Sequence, residues 1–236
     1  MRARTEPSKP AQNMNPPMDS STLQPPPEHL APYSEQIDAL IESGRVFWNR
    51  GWSVGTSSNY SAVVARDPLT LLVTASGKHK GQLTRSDFVL CDANGQPTLP
   101  DQPKSSAETL LHCLAAEDPT VGAVLHTHSV WSTILSDRFA PQGGILLEGY
   151  EMLKGLRGVT THQHREWLPI FENTQDIPEL AQRVRAASAD GDRPFPHGYI
   201  IRRHGIYTWG QDVAEAFRQI EILEFLLECV ARSATM

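Results

Sequence analysis

Apolar residues in this chain come in short runs, bracketed by turn residues and interleaved with stretches of helical periodicity. That alternation is the strongest constraint on the fold. Runs at 60–65, 69–74, 88–91, 121–126, 145–147, 168–171, 198–202 and 206–209 have the length and bounding residues of strands. The last two read as a hairpin around His204-Gly205. Between them, Ile37, Leu40, Ile41, Phe47 and Trp48 repeat at helical spacing, with Gly51 as the stop. A second helix is expected from Ser106, with Leu110, Leu111, Leu114 and Ala115 on its apolar face. Asp176 with Glu179, and Asp212 with Glu215, have the spacing of an acidic capping box and start two more. The last carries Val213, Phe217, Ile220, Leu223, Leu227 and Val230 at steps of three and four. Residues 149–156 read as a short glycine-bounded helix. Sheet-forming and helix-forming segments mixed in this way, with no internal repeat, make one α/β or α+β domain with helices packed on a sheet.

Composition bounds the function. The chain has 236 residues, enough for one domain and a tail. Its formal net charge of -6 argues against a nucleic-acid binder resting on phosphate neutralisation. No apolar run approaches the ~20 residues that cross a bilayer. Seven of the 18 prolines fall in the first 27 residues. That stretch has no apolar core to a signal peptide and too little aliphatic surface to offset its ordering entropy, so residues 1–31 are expected to be a disordered leader to a domain over 32–236. Cys91, Cys113 and Cys229 are odd in number and form no C-x-x-C pair, which fits reduced thiols and a cytoplasmic protein.

The sharpest chemical feature is His126-Thr127-His128, at the end of an apolar strand-like run. Side chains at i and i+2 of an extended segment share a face, so two imidazoles aim at one point, and imidazole is a common zinc ligand. A third ligand is needed, and His204, beside Gly205 in a bend, is the best candidate. A second pair, His162-Gln163-His164, has polar flanks and reads as a solvated loop. His112 reads as a core or supporting histidine; His29, His79 and His197 read as exposed. Three Ser/Gly/Asn-rich loops, at 55–59, 74–78 and 104–106, have backbone N–H groups and hydroxyls that can cradle a phosphate. None is a Walker A loop or a dinucleotide fingerprint. Glu108, Glu148 and Glu151 are acidic candidates with bland alternatives as helix or surface residues.

Together the segments S-N-Y-S, T-A-S-G-K-H-K-G, K-S-S-A-E-T-L-L-H, A-V-L-H-T-H-S and R-R-H-G-x-Y-x-W-G resemble the class II aldolase and adducin family, over roughly residues 34–232. Within that family E-M-L-K-G-L (151–156) and P-I-F-E-N-T (169–174) are similar to the dehydratases that act on methylthioribulose 1-phosphate in methionine salvage. The resemblance implies a three-layer domain with a central mixed, largely antiparallel sheet flanked by helices. It implies one Zn2+ per subunit on His126, His128 and His204, and Glu151 as catalytic acid/base. It also implies phosphate contacts from Asn59, Ser76, Gly77, Ser105 and Ser106, with Lys78 adjacent. Glu108 matches the catalytic acid of the aldolases and is a substrate-contacting or supporting candidate here. A small sugar phosphate as substrate and a homotetramer follow from the same resemblance, with no nucleic acid or membrane partner. A sugar-phosphate aldolase and a non-catalytic adducin-like module are the competing expectations.

Overall fold

The computed structural model describes residues 24–191 and 193–233. Eight strands form one sheet in the order β3-β2-β1-β4-β8-β7-β6-β5. They are β1 (Asn59–Arg66), β2 (Leu69–Thr74), β3 (Phe88–Cys91), β4 (Ala123–Thr127), β5 (Gly144–Glu148), β6 (Arg165–Phe171), β7 (Gly198–Ile201) and β8 (Gly205–Gly210). Every neighbouring pair is antiparallel except β6 and β7. The helices are α1 (Ser34–Asn49), α2 (Thr109–Ala115), α3 (Val130–Phe139), α4 (Ile177–Ala189) and α5 (Val213–Ser233). The mixed, largely antiparallel sheet flanked by helices is the architecture expected from the resemblance.

The alternation of side chains along each strand sorts the layers. In β4, Ala123 and Leu125 join the core under α1, α3 and α5, whereas Val124 joins the core under α2 and α4. In β7, Ile200 takes the first side, and Tyr199 and Ile201 the second. The sheet is therefore buried on both faces, which is why its strands read as near-continuous apolar runs. The caps behave as expected: Asp176 Oδ1 accepts from Glu179 N at 2.9 Å, and Asp212 Oδ1 accepts from Glu215 N at 2.8 Å.

Three boundaries move. Most of the expected leader lies outside the described residues, but a 3-10 turn over Glu28–Tyr33 puts Leu30 fully into the core, so the packed chain begins before residue 32. The second helix starts at Thr109, because Ser106 caps a preceding turn: its carbonyl accepts from Thr109 N and its hydroxyl from Glu108 N. The short glycine-bounded helix expected over 149–156 is present over 151–155, and it is of the 3-10 type.

Candidate metal centre and its chamber

β4 runs through the middle of the sheet between β1 and β8, and its register builds the site. Asn59 of β1 lies opposite His126, and so does Tyr207 of β8. His128 follows one residue beyond the strand, on the same face as His126. The turn between β7 and β8 closes over the strand end and delivers His204. That turn is pinned from α3: Arg202 and Arg203 both pair with Asp137 at 2.8–2.9 Å, and Ser136 Oγ accepts from Arg203 N. Gly205 is required by close approach, since a Cβ there would collide with the Thr127 carbonyl and stand 3.0 Å from both the His126 and the His128 rings.

The three ligand-type nitrogens of His126, His128 and His204 lie within 4.8 Å of one another. His126 Nε2 and His128 Nε2 are 2.7 Å apart. His126 Nδ1 donates to the Ile206 carbonyl at 2.9 Å, which fixes the tautomer and leaves Nε2 as a lone pair facing the cluster. Burial, and then the neighbouring imidazoles, push His126 well below the ordinary histidine value and His128 down to about 3. Both are therefore neutral at pH 7, the form that binds metal. His204 Nδ1 is buried without a partner. Three converging imidazoles, one of them with its tautomer fixed by a backbone carbonyl, fit a divalent ion of the zinc type.

Glu108 sits at this cluster. Its Oε1 is 3.2 Å from His204 Nε2, and its Oε2 is 3.6 Å from His126 Nε2. Oε2 accepts from Asn59 Nδ2 at 2.7 Å and from Tyr207 hydroxyl at 3.0 Å. Asn59 is held in turn by His112, which is fully buried, hydrogen bonded to Ser61, and pushed down to about 3 by burial. His112 is thus a supporting histidine. On the other face of β4, Thr127 Oγ1 donates to Glu224 Oε1 at 2.9 Å, and burial raises that α5 carboxyl to about 7.

A chamber opens from the cluster, lined by His128, His204, Glu108, Asn59, Ser76, Gly77 and Ser106, together with Thr56, Ser57, Ser58 and Thr74. Four of the six expected phosphate residues are here. The other two are turned elsewhere: Lys78 Nζ pairs with Asp87 at 2.7 Å, and Ser105 Oγ donates to the Gly95 carbonyl at 3.1 Å. The cation in the chamber is instead Lys80, which is 2 % exposed and whose Nζ donates to the Lys78 carbonyl at 2.8 Å. Burial pulls Lys80 down to about 8. Its position two residues along the same T-A-S-G-K-H-K-G segment was the available signal, overshadowed by the lysine next to the glycine.

Glu151 is not among the chamber residues. Its side chain is 73 % exposed and pairs with Lys154 at 2.7 Å, with His162 Nδ1 at 3.7 Å. The Lys154 hydrogen bond lowers it below the ordinary carboxylate value, so within this chain the expected catalytic acid/base is exposed and stands outside the chamber. The reading of the second histidine pair as solvated holds for His162 but not for His164, whose Nε2 lies 2.7 Å from Glu166 Oε2. His197, expected to be exposed, is buried and bonds the same carboxylate. His164 meets a carboxylate two residues along its own strand, whereas His197 reaches the same carboxylate across 31 residues of sequence.

The model of the Class II Aldolase and Adducin N-terminal domain matches residues 38–231. The chain belongs to the class II aldolase and adducin family. Among curated relatives it is 49 % identical over 199 residues to a methylthioribulose-1-phosphate dehydratase of Marinobacter nauticus, covering 84 % of this chain and 93 % of that one. It is 47 % identical to the enzyme of the same name from Hahella chejuensis, covering 85 % and 94 %. Among solved structures, the L-fuculose-1-phosphate aldolase of Thermus thermophilus superposes with a TM-score of 0.67 at 20 % identity, over 86 % of this chain and 95 % of that one. YgbL of Escherichia coli, a putative aldolase/epimerase/decarboxylase, does so with 0.66 at 22 %, over 83 % and 88 %. These two likenesses show the class II aldolase fold.

Proposed function

We propose that this protein is a zinc-dependent hydro-lyase that converts 5-methylthioribulose 1-phosphate to 2,3-diketo-5-methylthiopentyl 1-phosphate and water, as a cytoplasmic enzyme of methionine salvage. The observation that carries this reading is the near-full-length identity of 49 % to a relative of that name. The chemistry of the chamber supports it independently. The substrate has a ketone at C2 and hydroxyls at C3 and C4. The proton on C3 and the hydroxide on C4 leave as water, and the resulting enol ketonises to the diketone. The C3 proton is acidic only because the C2 carbonyl takes up charge. A divalent ion on His126, His128 and His204 would act as a Lewis acid for the oxygens at C2 and C3.

The chain's own residues bind, orient and move protons. Asn59, Ser76, Gly77, Ser106 and Lys80 hold the phosphate, so that binding energy fixes the reacting carbons. Lys78 and Ser105, held by Asp87 and Gly95, act at most by shaping those loops. Glu108, oriented by Asn59 and Tyr207, faces the reacting end. Glu151 protonates the departing C4 hydroxyl, and it reaches a chamber through assembly of subunits into a homotetramer. Glu108 beside two metal-site histidines also favours a second reading, aldol cleavage of a ketose phosphate.

Turnover of methylthioribulose 1-phosphate by metal-titrated protein tests both readings. Dehydration yields diketone and no triose phosphate, whereas release of triose phosphate would establish the aldolase. His126→Ala is expected to lose turnover together with one equivalent of bound metal. Full activity in metal-stripped protein would sink the metal role.

A further inference from the structure

β6 and β7 form the one parallel seam of the sheet, and their backbones pair only at Ile170↔Ile200 and Phe171↔Ile201. At the other end of the seam side chains take over. Glu166 of β6 is 1 % exposed, and His197, the residue before β7, is 4 % exposed. His197 Nδ1 lies 2.8 Å from Glu166 Oε2, and His164 Nε2 lies 2.7 Å from the same oxygen. The ligand-type atoms of the three residues all fall within 4.8 Å of one another.

The hydrogen-bond inventory of this cluster is unbalanced. His197 Nε2 is 2.8 Å from the Arg157 carbonyl, and a carbonyl only accepts, so Nε2 carries the proton. In neutral imidazole Nδ1 is then a lone pair, and it faces a carboxylate oxygen that also only accepts. Either a proton or a metal cation has to lie between them. Glu166 Oε1, meanwhile, is buried with no partner. A histidine that donates one nitrogen to a backbone carbonyl and turns the other toward a carboxylate and a second histidine is arranged as metal ligands are. His126 has the same arrangement in the first cluster, with Nδ1 on the Ile206 carbonyl and Nε2 2.7 Å from His128.

The geometry points to a second divalent-metal site on His164, Glu166 and His197, separate from the chamber. Two imidazoles and one carboxylate suit a borderline ion of the Zn2+ or Co2+ type rather than a hard, all-oxygen ion. Tetrahedral bonds of about 2.0–2.1 Å place donor atoms roughly 3.3–3.4 Å apart, so the cluster needs to open by about half an ångström. The half-exposed His164 ring can supply that movement and leaves a coordination position toward solvent. The ion would neutralise Glu166 inside the protein and engage a carboxylate whose second oxygen the chain leaves unpartnered. Its role is structural: it ties the segment carrying Arg157 and His164 to the parallel seam where backbone pairing is missing. This inference does not depend on the reaction proposed above.

Metal counting decides it. Protein stripped with a chelator, reloaded with Zn2+ or Co2+ and freed of loose ions should hold two ions per chain by mass spectrometry of the elements. His164→Ala, at a half-exposed position, should hold one and keep its turnover. His126→Ala should also hold one, with no turnover. His197→Gln, which tests the buried ligand, should match His164→Ala and lose thermal stabilisation by added metal. A wild-type content of one ion, or two ions retained in both His164→Ala and His197→Gln, overturns the site and leaves a protonated His197 paired with Glu166 as the positive partner.

Discussion

Lys80 shows how a single residue can be placed by burial rather than by sequence pattern. An ammonium group enclosed at 2 % exposure costs solvation free energy, and the protein lowers its affinity for a proton to about 8 instead of expelling it. Such a group is worth keeping where an anion will arrive. The charged form exists below pH 8 and is lost as pH rises through it, so the KM for a phosphorylated substrate should climb above pH 8. Lys80→Met should raise KM about 10–100-fold at pH 7, in line with loss of a charge-assisted hydrogen bond of roughly 1.5–3 kcal/mol, and should flatten the climb. Lys78→Met should change KM far less, because Lys78 is held by Asp87. Equal effects of the two substitutions would contradict this assignment.

At the scale of elements, the site is a product of strand register. His126 is set by β4, Asn59 by β1, and Tyr207 by β8, and cross-strand pairing brings the three side by side. His204 joins because the β7–β8 turn lies against the end of β4 with no side chain between them. Gly205→Ala should therefore force the turn away from Thr127 and pull His204 out of the cluster. The expected result is loss of one metal equivalent and a destabilisation of about 1–3 kcal/mol, read by metal analysis and thermal unfolding. A fully loaded Gly205→Ala protein would show that the turn tolerates the shift. Much of this level was legible. Strands and all helices but α3 followed from apolar spacing or capping residues, and H-T-H at a strand end pointed to a shared face. His164 was misread because its flanks are polar, and His197 because its carboxylate partner, Glu166, is brought to it by folding.

For the whole molecule the question is where Glu151, the proposed acid/base, would act. Among the described residues no helix is long and apolar enough to cross a membrane, and the exposed apolar side chains include Val130, Ile134, Leu146, Met152 and Phe225. Glu151 stands in the same exposed region of sequence as Met152, outside its own chain's chamber. If subunits complete one another, native mass spectrometry should give four times the 26.1 kDa chain mass. Glu151→Gln should keep that mass and its metal and lose turnover by about 10²–10⁴. Mixing inactive Glu151→Gln with inactive His126→Ala, with subunit exchange, should restore part of the activity, since some chambers then pair an intact metal site with an intact Glu151. No recovery after proven exchange would place Glu151 within its own chain's site.

The sequence by itself determined the class of domain, the strands, every long helix except α3, the three candidate histidines and the family. Periodicity and short motifs are local properties, written within a few residues of one another. Only the tertiary structure decided that Glu108, Asn59 and Tyr207 converge on those histidines, that Lys80 rather than Lys78 faces the chamber, and that Glu166 gathers His164 and His197. Those facts depend on which strands lie side by side and which polar groups lose their water, and both are set by long-range packing.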